Sequence, residues 1–127
     1  MSLLSDTYKN FIKQWPEHGN GCPIADVFGT YCYSFNDCVL VAKSYAWKGG
    51  TVSVHRSAWN HCIKHNKPLI MFLKSPIGFY KFFPGKITDF YENDRRGVPM
   101  MNFKLEYGVR LAELSTLQSL QTAQKLL

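Results

Sequence analysis

The stretch DCVLVAKSYAW, Asp37 to Trp47, decides the reading of this 127-residue chain. β-branched and aromatic residues dominate it, which is the signature of a strand buried on both faces. Alternation puts Val39, Val41, Lys43, Tyr45 and Trp47 on one side, and Cys38, Leu40, Ala42, Ser44 and Ala46 on the other. Lys43 interrupts the apolar pattern. An unpaired ammonium in low dielectric costs several kcal/mol or loses its proton. Two arrangements answer that cost. Lys43 lies near a strand end with its stem packed and its head in water, or it faces a carboxylate and a bound anion or metal.

Composition sets the outer bounds. With 46% hydrophobic residues, 15% of the chain aromatic, this sequence is too apolar for disorder, and its length suits one domain over 1–127. A net charge of +6 favours a polyanionic partner, although the cations are spread along the chain. Cys22, Cys32, Cys38 and Cys62 lie in or beside apolar segments with no CxxC pair, and the N-terminal residues lack a signal-peptide layout. Both features suggest a reduced, intracellular (cytoplasmic) protein. No apolar stretch approaches bilayer length, so no membrane span is expected.

Working outward from 37–47, residues 3–15 carry Leu4, Tyr8, Phe11, Ile12 and Trp15 at helical spacing, ended by Pro16 and a turn at 18–21. A strand-rich block from Ile24 to Tyr33 is broken by Gly29, and SFND turns the chain into the lysine strand. TVSV at 51–54 is a short extended piece. Residues 55–66 predict a helix whose apolar residues are Ala58, Trp59, Cys62 and Ile63, with Ala58, Trp59 and Cys62 on its buried face and Asn66 as its cap. PLIMFLK at 68–74 and FYKFF at 79–83 predict a strand hairpin. ENDRRGVP at 92–99 reads as a loop, residues 100–107 as an edge strand with one wet face, and 109–127 as a leucine-rich helix. The result is a single α+β domain, a central mixed β-sheet flanked by helices, with its core at about 3–91.

ADVFG at 25–29, VLVAKS at 39–44, TVSVHR at 51–56 and PLIMFLKSPIGFYKFFPGKI at 68–87 carry a family likeness. Over roughly half its length the chain resembles the PD-(D/E)XK nuclease superfamily, most closely the archaeal Holliday-junction resolvases. The resemblance implies a restriction-endonuclease-like α-β-β-α-β-β core and a metal-dependent endonuclease for branched DNA in recombination. It also implies Mg2+ or Mn2+ as cofactor and a homodimer, because a junction has two symmetric cleavage points. Asp26 stands at the family's first metal carboxylate and Lys43 at its lysine. Val41 stands where the second carboxylate belongs. Asp6, Glu17 and Asp37 are the other acids available to a metal, though Asp37 is about 20 Å along the strand from Lys43. Lys48, His55 and Arg56 stand where the family grips the DNA backbone.

The chemistry explains that donor set. Phosphodiester hydrolysis uses divalent cations to polarise a phosphoryl oxygen and to acidify water, magnesium demands hard oxygen ligands, and the lysine stabilises charge building on phosphate. Val41 leaves a second possibility open: a relative that binds DNA or a protein without cutting. An RNA-binding module using the aromatic hairpin at 79–83 is a third. Register leaves Asp26 open as well. A tight turn pairing Phe35 with Cys38 extrapolates to Asp26 opposite Trp47, and a wider loop would bring it to Lys43. Asp26 could instead cap local backbone NH groups. His61 and His65, four apart on one helix, have zinc-ligand spacing but no second pair to complete a site.

Overall fold

The computed structural model describes residues 2–47 and 49–111. Helix α1, Leu3–Gln14, starts where the Ser2 side chain accepts the Ser5 N–H at 3.1 Å. Asp6 lies in its first turn and Lys13 in its last, both favourable to the helix dipole. It ends at Trp15, and Pro16 opens a 3-10 turn over Pro16–His18.

Strands β1 (Cys22–Asp26), β2 (Gly29–Ser34) and β3 (Val39–Tyr45) follow as an antiparallel meander. The block from Ile24 to Tyr33 is therefore a hairpin whose bend is Val27–Phe28, with Asp26 opposite Gly29. Gly29 has φ +115, a conformation that strains any residue bearing a Cβ. The chain then leaves this sheet through β4 (Thr51–His55), makes helix α2 (Arg56–His65), and returns as β5 (Leu69–Ser75). Asn66 ends α2 in the left-handed conformation, its N–H bonded to the Cys62 and Ile63 carbonyls, as the sequence predicted.

β5 lies parallel to β3, Lys43 opposite Leu73, and β6 (Gly78–Phe82) runs antiparallel to β5. These five strands, with a short outer strand Val109–Leu111, form a mixed sheet of order β1-β2-β3-β5-β6-β9 once β7 (Phe90–Arg95), β8 (Val98–Lys104) and β9 (Val109–Leu111) are numbered. β4, β8 and β7 make a separate three-stranded sheet.

The layers are α1, the six-stranded sheet, and then the small sheet with α2. Phe11, Leu40, Ile70 and Phe79 pack under α1. Val39, Val41, Met71, Val52, Val54, Trp59 and Phe103 fill the other interface. Alternate residues of β3 thus enter different cores, which is why the strand is apolar on both faces up to Val41 and opens toward Tyr45.

This is the expected α+β domain with a central mixed sheet flanked by helices. Three boundaries differ from the sequence reading. Residues 92–99 are not a loop: β7 continues to Arg95, and a turn with positive φ at Arg96 and Gly97 leads into β8. Every residue of β7 is exposed, so it shows no apolar alternation. Residues 100–107 are not an edge strand. Through Lys104 they form the centre of the small sheet with Met100, Met101, Asn102 and Phe103 buried, and Leu105–Tyr107 is a 3-10 turn. Residues 109–111 extend the large sheet beside β6 instead of starting a helix, and the rest of the leucine-rich stretch lies outside the described residues.

Phe11 is 1% exposed and joins α1 to the sheet through Phe35 and Phe79. Phe11→Ala should lower unfolding free energy by about 3–5 kcal/mol. Urea denaturation followed by circular dichroism measures this, and a cost under about 1 kcal/mol would show that α1 is not docked as described.

Candidate functional site

Lys43 stands near the C-terminal end of β3, where the parallel pair β3–β5 leaves the core. Crevices at the carboxyl ends of parallel strands are where open α/β sheets receive ligands. Two recesses meet at its side chain. One, of about 170 Å³, is lined by Leu4, Tyr31, Val41, Lys43, Val54 and His55. The other, of about 200 Å³, is lined by Lys43, Tyr45, Trp47, Ser53 and Arg95. The predicted alternation holds in the buried part of β3, where Val39 and Val41 enter one core and Leu40 the other. At the open end Ala42 and Ser44 line these recesses together with Val41, Lys43, Tyr45 and Trp47. A larger recess of about 380 Å³ near Phe83, Lys86 and Tyr107 shares no lining residue with either.

Burial pulls the Lys43 ammonium down from its ordinary value to about 8, and the Arg95 guanidinium pushes in the same direction. No carboxylate ion-pairs with Lys43 or Arg95 among the described residues. The Arg95 guanidinium lies 5.5 Å over the Trp47 ring, which is set edge-to-face with Tyr45. Below them Ser53 donates to Asn102, whose amide donates to the Tyr91 carbonyl at 3.2 Å. That buried network fixes the floor of a further recess of about 330 Å³ shared by Trp47, Arg95 and Asn102.

Asp26 arrives from the tip of the β1–β2 hairpin. One carboxylate oxygen, Oδ1, accepts the Phe28 N–H at 2.7 Å, and the other, Oδ2, stands 3.7 Å from His55 Nδ1. The local capping role weighed for Asp26 is present, and so is an approach to the cleft. The Phe35–Cys38 turn is tight, with a 2.8 Å backbone bond. The extra turn at Val27–Phe28 removes the register conflict, because β1 folds back outside β2 and does not continue it. His55 stacks on Tyr31 with centroids 4.5 Å apart. Burial holds its imidazole below the usual range, Asp26 opposing and Lys43 reinforcing the shift. Asp26, His55 and Lys43 thus form one electrostatic group, in which burial and Lys43 favour the neutral imidazole and Asp26 the charged one.

The other expected site residues are dispersed. Asp37 lies at the far end of β3 and meets His18 at 2.7 Å, with Glu17 in the same 3-10 turn as His18. Asp6 is exposed on the first turn of α1. Arg56 begins α2 and pairs with Glu92 at 2.8 Å, a half-exposed ion pair. Lys48 lies outside the described residues. Arg95 and Tyr31 were missed, because the charge-dense segment around Arg95 reads as a loop and Tyr31 carries no motif.

The resemblance implies Mg2+ or Mn2+ between two carboxylates. The donors at this cleft do not fit such an ion. Asp26 has one oxygen already accepting a backbone N–H, and Val41, 4% exposed, is part of the hydrocarbon core. A hard cation needs several oxygen ligands, and neither valine nor the adjacent cations supply them. The cleft is instead suited to an anion. Comparison with family models, curated proteins and solved structures finds no match.

Folding costs Lys43 part of its charge. Its folded value near 8 lies below its ordinary 10.5, so the unfolded chain binds more protons between those values. The penalty is fully present below pH 8 and fades as pH rises toward 10.5. Lys43→Met should therefore stabilise the protein at pH 7 by about 1–2 kcal/mol, allowing for partial solvent access. The gain should shrink at pH 10. Thermal unfolding at both pH values checks it; a destabilised variant at pH 7 would mean that Lys43 is paired.

Proposed function

We propose that this domain is a DNA-binding module on a nuclease-like α+β scaffold, binding backbone phosphate at the Lys43–Arg95 cleft without cutting it. The carrying observation is that two cations line one recess and, among the described residues, neither forms an ion pair with a carboxylate. Like charges raise each other's energy, and a phosphate between them relieves that cost while making charge-assisted hydrogen bonds. On the other side of Lys43, the first turn of α1 reaches the neighbouring recess through Leu4 and brings the positive end of a helix dipole there. Tyr45 and Trp47, 55% and 48% exposed, offer ring faces for unstacked bases. Val27 and Phe28 protrude from the hairpin tip at 92% and 69% exposure, next to Asp26. Such a tip suits a branch point, where bases are already unpaired.

A second reading is metal-assisted phosphodiester cleavage of the resolvase kind. It is favoured by the approach of Asp26 to His55 beside Lys43 and opposed by Val41. A homodimer belongs to either reading, as two copies would match the two halves of a junction. No helix among the described residues is long and apolar enough to cross a membrane. The free thiols, with Cys32, Cys38 and Cys62 buried, suit a reducing intracellular compartment.

Fluorescence anisotropy with duplex, single-stranded and four-way-junction DNA across a salt series tests the proposal, and its stoichiometry reads the dimer. Binding should weaken with salt, and Lys43→Ala or Arg95→Ala should each lower the log–log slope by about one. No product should appear in Mg2+ or Mn2+. Binding unchanged by both substitutions would overturn the cleft assignment. Cleavage lost in Asp26→Ala would replace the first reading with the second.

A further inference from the structure

The end of β3 opposite Lys43 holds a side-chain group that the cleft does not use. His18 closes the 3-10 turn after α1, while Asp37 and Cys38 complete the turn from β2 into β3. His18 Nδ1 and Asp37 Oδ2 are 2.7 Å apart, and Cys38 joins them so that all three ligand atoms lie within 4.8 Å of one another. Neighbouring rings set the imidazole plane. Phe11 stacks on it with centroids 5.1 Å apart, and Phe35 stands edge-on at 6.3 Å.

We propose that His18, Asp37 and Cys38 form a binding site for one zinc ion. An imidazole nitrogen, a thiolate and a carboxylate oxygen are the donor types zinc takes, and the sulfur disfavours magnesium and calcium. With zinc–ligand bonds of about 2.0–2.3 Å, ligand atoms on a tetrahedron stand about 3.3–3.7 Å apart. The His18–Asp37 spacing of 2.7 Å is shorter than that range and the pairs with Cys38 lie within 4.8 Å, so the three donors are near enough to close on one ion.

Binding replaces the His18–Asp37 hydrogen bond with two bonds to the ion, the Nδ1 proton of the neutral imidazole passing through solvent to Nε2 so that Nδ1 is free to coordinate. Cys38 releases its thiol proton to solvent and coordinates as thiolate, so one proton leaves per ion bound. Thiolate and carboxylate neutralise the dication, and His18 binds in its neutral form. The Asp37 side chain is 56% exposed and gives the ion an entry path, leaving the fourth position to water. The ion would tie the end of α1 to the β2–β3 turn, the side of the sheet covered by a single helix.

Calorimetric titration of the full chain with Zn2+, with Co2+ as an optical probe, tests the site. One ion per chain is expected, with a thiolate-to-cobalt charge-transfer band that is absent in Cys38→Ser. His18→Ala and Asp37→Asn should each weaken binding at least about 100-fold, beyond what loss of an outer-shell partner costs. Asp37 is at the surface, so D37N keeps the test decisive if the buried Cys38 variant does not fold. His61 and His65, with ring centroids 4.4 Å apart, form the competing site, and the double variant H61A/H65A should bind normally. Absence of saturable binding would overturn the assignment. So would affinity indifferent to His18→Ala and Asp37→Asn, or affinity lost with the His61–His65 pair.

Discussion

Parallel pairing of β3 with β5 is the constraint on which the rest of this structure depends. Two parallel strands cannot be joined by a tight turn, so the chain must cross over between them. Here the crossover is β4 and α2, the elements that seed the second layer. A parallel pair also needs cover on both faces. α1 supplies one cover through Phe11, and the small sheet with Trp59 of α2 supplies the other. Where these covers stop, β3 opens to solvent, and that is where Lys43 stands.

The cleft follows from that geometry. β3 brings Lys43, the crossover brings His55 at the end of β4, and the β1–β2 hairpin brings Asp26. The β7–β8 hairpin swings Arg95 over Trp47 from the other side. Four separate segments therefore converge on one point, and the net result is an excess of positive charge held partly away from water. Valine at position 41 is consistent with this balance. It gives its volume to the core between the two sheets, where a carboxylate would need partners that Val39, Val54 and Met71 cannot offer.

The legible parts of the sequence were those with one dominant period. α1 and α2 showed their faces through Phe11 and through Ala58, Trp59 and Cys62, and Asn66 announced its cap. β3 and β5 were readable as apolar runs, and alternation along β3 grouped Lys43 with Tyr45 and Trp47. β7 was not readable because all of it is exposed, so its strand state depends on hydrogen bonds to β8, which periodicity does not report. β8 looked like an edge because Asn102 and Lys104 alternate with apolar residues. Asn102 is nevertheless 2% exposed, its amide satisfied by the Tyr91 carbonyl and its oxygen by Ser53. The His18–Asp37–Cys38 group was invisible for another reason: its members come from two segments that only tertiary folding brings together.

The central claim is that Lys43 and Arg95 line one recess as two cations with no ion-paired carboxylate among the described residues, the arrangement on which the proposed phosphate binding rests. Titration of the Lys43 amine by heteronuclear NMR, in the free protein, in Arg95→Ala and with a short oligonucleotide bound, tests it most directly. The account predicts a midpoint near 8 in the free protein, higher in Arg95→Ala, and higher again with the oligonucleotide. A midpoint at the ordinary lysine value of 10.5, unmoved by the substitution or by DNA, would contradict it.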